Sequence, residues 1–129
     1  MCIRDSTFGG NPVAAAAGVT TIQIMLEDGF LPEVFEKGSY FREQLADLAV
    51  AFPHLISGSR GLGLIVAAVL TKQGVDQGAA IVNAMFDRGY LMNFAGNAVL
   101  RFVPPLIVSK NEIDEFMAVL REVLAEIDS

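Results

Sequence analysis

The sequence predicts an α/β domain in which helices pack on one face of a small, largely antiparallel sheet. Three observations carry this. The periodicity along the 129 residues runs helix, helix, strand, strand, helix, strand, strand, helix. Two short apolar runs flank Ala95-Gly96-Asn97-Ala98, a turn whose Gly and Asn tolerate positive φ and which joins neighbouring antiparallel strands. The second helix sorts its apolar and charged residues to opposite sides, as a helix that covers one sheet face does.

In chain order, Asn11 is a good N-cap and Pro12 a good first helical residue, so the Ala-rich stretch after them predicts a buried helix ending at Gly29. A second helix fits Pro32 to Ala51. Val34, Phe35, Phe41, Leu45, Leu48 and Ala49 lie on its apolar face, and Pro53 prevents its continuation. Leu55 to Arg60 and Leu64 to Leu70 read as strands about a Gly61-Leu62-Gly63 turn, the second strand buried on both faces. A third helix fits about Asp76 to Arg88, with Ala79, Ala80, Val82, Ala84, Met85 and Phe86 as its apolar residues and Gly89 as its left-handed C-terminal residue. Tyr90 to Phe94 and Val99 to Val103 form the hairpin. Ser109-Lys110-Asn111-Glu112 has the Ser-x-x-Glu form of a capping box, and the helix it opens runs to about Ile127.

At this length one domain is the ceiling. Counting Gly as apolar and leaving out Tyr gives about 60% apolar residues against a usual ~45–50%, which excludes disorder. That excess fits a piece of a larger protein, whose missing part would cover surface left bare here. The longest apolar run, Gly61 to Leu70, is half the length of a membrane-spanning helix. A net charge of −6 argues against nucleic acid and anionic lipid. With one Cys and one His the chain can form neither an internal disulfide nor a zinc site of usual spacing, which points to a reduced, cytoplasmic compartment. Residues 1–5 read as a non-native leader, because Met1 to Ser6 lack the apolar stretch of a signal peptide and do not lead naturally into the Gly-Gly-Asn-Pro helix start.

Groups for acid–base chemistry are scarce. The carboxylates sit at i, i+3 and i+4 on helix faces, where solvation is their ordinary role. His54 has no Ser, Cys or Asp at a recognisable triad position, and Gly61-Leu62-Gly63 enters a strand and not the helix that a dinucleotide fingerprint needs. Two places are sharper. Ser6-Thr7-Phe8-Gly9-Gly10-Asn11-Pro12 puts two hydroxyls and a Gly pair ahead of a helix N-terminus, a cradle for a phosphate or simply a well-made helix start. Arg101 stands inside the apolar strand Val99-Leu100-Arg101-Phe102-Val103, held stiffly by Pro104-Pro105. It calls for a partner, either a ligand carboxylate or a Glu in a structural ion pair.

Together with Arg60-Gly61-Leu62-Gly63-Leu64 and Leu91-Met92-Asn93-Phe94-Ala95-Gly96-Asn97, these two motifs resemble, in order from Ser6 onward, the C-terminal portion of the class III aminotransferases that depend on pyridoxal 5'-phosphate. The resemblance implies a fold-type I enzyme, with residues 6–30 ending a cofactor-site segment and residues 31–129 forming the small C-terminal domain. It implies that Thr7 reaches across a homodimer to the cofactor phosphate, that Ser6 lies beside it near the substrate, and that Arg101 binds the carboxylate of the amino donor or of the 2-oxoglutarate/glutamate pair. It gives Arg60 no ligand role. The turn before Arg101 tilts the likeness toward members acting on N-acetylornithine; succinylornithine, succinyldiaminopimelate, ornithine and 4-aminobutyrate are alternatives. The family's Schiff-base Lys lies upstream, and none of Lys37, Lys72 and Lys110 sits in a matching motif, so no catalytic residue is assigned. Where the family has His-Gly before Ser-Thr this chain has Arg4-Asp5, a departure that fits a foreign start. A free-standing α/β module that binds a partner through apolar surface is the alternative of another class.

Overall fold

The computed structural model describes residues 9–128, and the chain divides into two compact units between Glu33 and Val34. The first unit carries α1 (Pro12–Met25). Asn11 caps it, its side-chain oxygen accepting from the Val13 and Ala14 amides at 2.9 and 3.2 Å. The helix stops four residues before the expected Gly29, and none of its residues is buried: Val13 is 77% exposed and the capping Leu26 71%. The expectation of a buried helix is therefore corrected. A largely apolar helix needs cover to be buried, and the described residues of its own unit hold no sheet to pack on.

The second unit is a four-stranded sheet with three helices. α2 (Phe30–Ala51), whose first turn lies before the unit boundary, starts two residues earlier than expected, because Pro32 in its first turn needs no amide partner. Its buried positions are Val34, Gly38, Phe41, Leu45 and Leu48, a steady four-three spacing that leaves Phe35 exposed, contrary to expectation, and Ala49 only half-buried. Gly38 belongs to that face because the chain passes too close for anything larger: a Cβ there would lie 2.0 Å from the Gly63 carbonyl oxygen. Gly63, at φ +52, opens the two-residue turn between β1 (Ile56–Leu62) and β2 (Ile65–Leu70), so the turn falls later than the Gly61-Leu62-Gly63 expected.

α3 (Lys72–Asp87) begins four residues earlier than expected, since Thr71 caps it by accepting from the Gly74 amide at 3.0 Å. Its buried side is Gly74, Gly78, Ile81 and Met85; Ala79, Ala80 and Phe86 are exposed, against expectation. β3 (Asn93–Ala95) is shorter than the expected Tyr90 to Phe94. It turns through Gly96 and Asn97, both at positive φ, into β4 (Val99–Phe102). The capping box ahead of α4 (Lys110–Asp128) forms as the sequence predicts: the Ser109 amide and hydroxyl donate to Glu112 at 2.7 and 2.8 Å, and the Glu112 amide donates back to the Ser109 hydroxyl at 3.2 Å.

The strand order is β1-β2-β4-β3, antiparallel throughout. Side chains alternate between faces along each strand. Val66, Ala68, Leu70, Leu100 and Phe102 point into one core with Leu45 and Leu48 of α2, Ile81 and Met85 of α3, and Ile113, Met117, Leu120 and Leu124 of α4. The helices thus cover one face of the sheet.

Candidate functional site

The other face carries none of these helices but is not bare throughout, since Ala67 beside Arg101 is 8% exposed and Val99 6%, in line with the expectation of a second strand buried on both sides. β4 shows how the site arises. Leu100 and Phe102 are 0% and 5% exposed in the core, so Arg101 between them must emerge on the far side. Arg101 does stand in an otherwise apolar strand, as expected, but it is exposed, and no hydrogen bond or ion pair joins it to a carboxylate among the described residues. The structural ion pair expected as one alternative is absent there. The guanidinium keeps its planar fork for something else.

The strand register builds a row around it. Arg60 pairs with Ala67, Ala67 with Arg101, and Arg101 with Asn93, so one residue from each strand, Arg60, Ala67, Arg101 and Asn93, lines up across the outer face. At the β3–β4 end of this row is a cleft of about 280 Å³ lined by Leu91, Met92, Asn93, Arg101 and Val103. Its walls are apolar, Leu91 being 86% and Val103 62% exposed, and its polar groups are one guanidinium and one amide. That set can hold a carboxylate by parallel hydrogen bonds. It holds no general base.

A second cleft, of about 290 Å³, opens between α2, α4 and the segment after β4. Phe41, Phe102, Phe116 and Tyr90 make its floor, with ring centroids 5.4 to 6.0 Å apart. Glu112 is its one ionisable carboxylate. Hydrogen bonds from Ser109 hold that carboxyl below its ordinary range, which marks a helix cap and not a catalytic acid. The remaining shifted groups also have structural causes. The Tyr40 hydroxyl donates to Asp114 at 2.7 Å, raising the phenol's pKa and lowering the carboxyl's, and Lys110 lies 2.5 Å from Glu36, which lowers the carboxyl and raises the amine.

His54 is exposed, and its carbonyl accepts from the Thr71 hydroxyl. Among the described residues no three His, Cys, Asp or Glu gather to hold a metal. Ser6 and Thr7 lie outside the described residues. Of the cradle predicted with them, the Val13 and Ala14 amides are already taken by Asn11. The described residues therefore fit a carboxylate at Arg101. They do not fit pyridoxal phosphate, which needs a Lys at its aldehyde and a partner for its ring nitrogen, since none of Lys37, Lys72 and Lys110 lines either cleft.

Sequence reasoning missed both clefts and the placing of Asn93 beside Arg101. The apolar alternation around Arg101 could have shown which face it takes; nothing local could have shown which strand lies beside it.

The family description "Aminotransferase class-III" matches residues 4–124. The chain belongs to the class III aminotransferase family. Members depend on pyridoxal phosphate and are transaminases. Among similar proteins, the acetylornithine aminotransferase of Caldanaerobacter subterraneus is 43% identical over 122 residues, 95% of this chain and 30% of that protein. The Methanocaldococcus jannaschii acetylornithine aminotransferase is 41% identical over 124 residues, 96% of this chain and 30% of that one. The crystal structure of the N-acetylornithine aminotransferase of Stenotrophomonas maltophilia superposes with a TM-score of 0.84 at 33% identity, covering 92% of this chain and 32% of that one. The lysine aminotransferase of M. tuberculosis superposes at 0.85 with 29% identity, over 95% and 28%. This class III aminotransferase chain thus spans about 30% of the length of the curated relatives it matches. No described helix is long and apolar enough to cross a membrane.

Proposed function

We propose that this chain is the C-terminal portion of a cytoplasmic, homodimeric transaminase that moves an amino group from N-acetylornithine to 2-oxoglutarate. In that reading residues 31–129 form the small domain, residues 6–30 end the cofactor-site segment, and residues 1–5 are a foreign leader. Arg101 anchors the α-carboxylate of the amino donor or of 2-oxoglutarate, and Thr7, with Ser6 beside it, serves the cofactor phosphate across the dimer. The observation that carries the proposal is the guanidinium of Arg101, exposed and without a carboxylate partner among the described residues, in an apolar-walled cleft on the face of the sheet away from the helices, in a chain whose relatives are named for acetylornithine. Two parallel hydrogen bonds from a fixed strand orient a carboxylate, and with it the carbon that exchanges its amine. The transfer itself is cofactor chemistry.

The test is to assay the full-length protein that carries this segment with 2-oxoglutarate against N-acetylornithine, succinylornithine, ornithine and 4-aminobutyrate. Highest kcat/KM on N-acetylornithine is expected. A preference for another donor overturns the substrate, and no transfer from any donor overturns the enzyme reading. The 129-residue chain alone, mixed with pyridoxal phosphate and reduced with borohydride, should show scattered, substoichiometric labelling of Lys37, Lys72 and Lys110. Stoichiometric labelling of one Lys with turnover would show instead that the segment is sufficient.

A further inference from the structure

Directly across the β3–β4 ladder from Arg101 stands Asn93. Residues opposite one another in an antiparallel pair have Cα atoms about 4.5–5.5 Å apart and share a face, so the amide and the guanidinium rise side by side. Both line the same 280 Å³ cleft. No hydrogen bond engages the side chain of either residue among the described residues. Resting on the carboxylate reading of Arg101, we propose that Asn93 is a second anchor of that carboxylate, a neutral donor beside the Arg101 fork.

The chemistry comes from counting lone pairs. An ionised carboxylate has about four acceptor sites on two oxygens, and the two parallel bonds of a guanidinium fork occupy one on each oxygen. An amide N–H beside the fork reaches one of the sites that remain. Because Asn is neutral, it adds a donor without adding charge, and Arg101 keeps the whole electrostatic attraction. A ligand amide in place of the carboxylate would turn an N–H toward the Arg101 fork and leave a guanidinium donor unpaired beneath it, while the Asn93 amide can turn over and accept from it, so discrimination against neutral ligands rests on Arg101. Apolar Leu91 and Val103 keep water from competing once a ligand fills the cleft. Arg60, two strands away beyond Ala67 at about 10 Å, shares the face but does not line the cleft, so it serves as a charge control.

The experiment uses the full-length protein with Asn93→Leu, Asn93→Asp, Arg101→Lys and Arg60→Gln. It measures KM and kcat for 2-oxoglutarate and, independently of turnover, the Kd of glutarate by calorimetry on protein freed of cofactor. Asn93→Leu is expected to raise KM and Kd about tenfold, the worth of one hydrogen bond to a charged group, with kcat held within about twofold. Asn93→Asp, which keeps the shape, should weaken both further by setting a carboxylate against the ligand's, and it decides the matter should the Leu variant fail to fold. Arg60→Gln should move neither constant more than about twofold, because exposed charges at that distance are screened. Unchanged constants for both Asn93 variants, with a large loss in Arg101→Lys, would overturn the role of Asn93 and leave that of Arg101. Unchanged constants in Arg101→Lys would overturn both.

Discussion

The two faces of the sheet are built from the same strands and do opposite things. On the inner face Val66, Ala68, Leu100 and Phe102 are at most 5% exposed and belong to one core with three helices. On the outer face their immediate neighbours Ile65 and Val103 are 62% exposed, and Arg101 stands in the open. In Leu100-Arg101-Phe102 stability and chemistry alternate residue by residue, because the strand period of two assigns each to its own side. Substitutions within one strand should therefore split cleanly between loss of fold and loss of binding.

Leu100→Ala puts the heaviest load on that split. Leu100 is wholly buried, so its truncation should cost about 2–5 kcal/mol in urea unfolding, from lost transfer energy plus the cavity left behind. A cost under about 1 kcal/mol would mean that the inner face is not the core described. One residue on, Arg101→Lys should leave unfolding within about 0.5 kcal/mol, as exposed substitutions do, and yet lower kcat/KM of the full-length protein for amino donor and 2-oxoglutarate by roughly 30-fold or more, since an ammonium replaces two parallel bonds with a point contact. A variant that loses stability and keeps its kinetics would reverse the assignment of the two faces.

How much of this the sequence disclosed depends on how far apart the deciding residues lie. The Ser109 capping box and the Gly96-Asn97 turn are local, and both formed as read. The side of α3 that packs did not: Gly74 and Gly78 face the sheet because a Cβ at either would come within 2.0 Å of the Leu55 carbonyl oxygen or 2.6 Å of the Phe94 ring. Apolar periodicity counts Ala79, Ala80 and Phe86 and passes over glycines. The row of Arg60, Ala67, Arg101 and Asn93 was beyond any local pattern, since β2 pairs with β4 across an intervening helix and strand. Arg101 was singled out by its apolar neighbours, whose alternation also gives its direction, but its neighbour Asn93 comes from register alone.

The helical layer behind the inner face offers a finer test. Ser109→Ala removes the hydroxyl that caps α4 and should cost about 1 kcal/mol of stability. It takes nothing from the outer face, so binding in the Arg101 cleft should be unchanged. A change in substrate KM with Ser109→Ala would show the two layers to be coupled through Pro104-Pro105.

Acid sensitivity should be slighter still, and it too should belong to the helical layer. Glu112 is held below its usual value near 4.5 by hydrogen bonds from Ser109, Glu36 by Lys110, and Asp114 below its usual 3.8 by Tyr40 and Gln44. A carboxylate whose folded pKa is depressed contributes stability that is present above its unfolded value and is lost as pH falls through the folded one. Stability should therefore decline below about pH 4.5, gently, because all three groups are exposed and solvent screens them. Unfolding free energies from about pH 6 to about pH 3 should fall less steeply in Ser109→Ala, where Glu112 keeps the amide donor but has lost the hydroxyl, and Glu112→Gln should flatten the curve further. If both variants keep the parent slope, the acid-labile stability resides elsewhere than in the α4 cap, and the box is a geometric device with no electrostatic share.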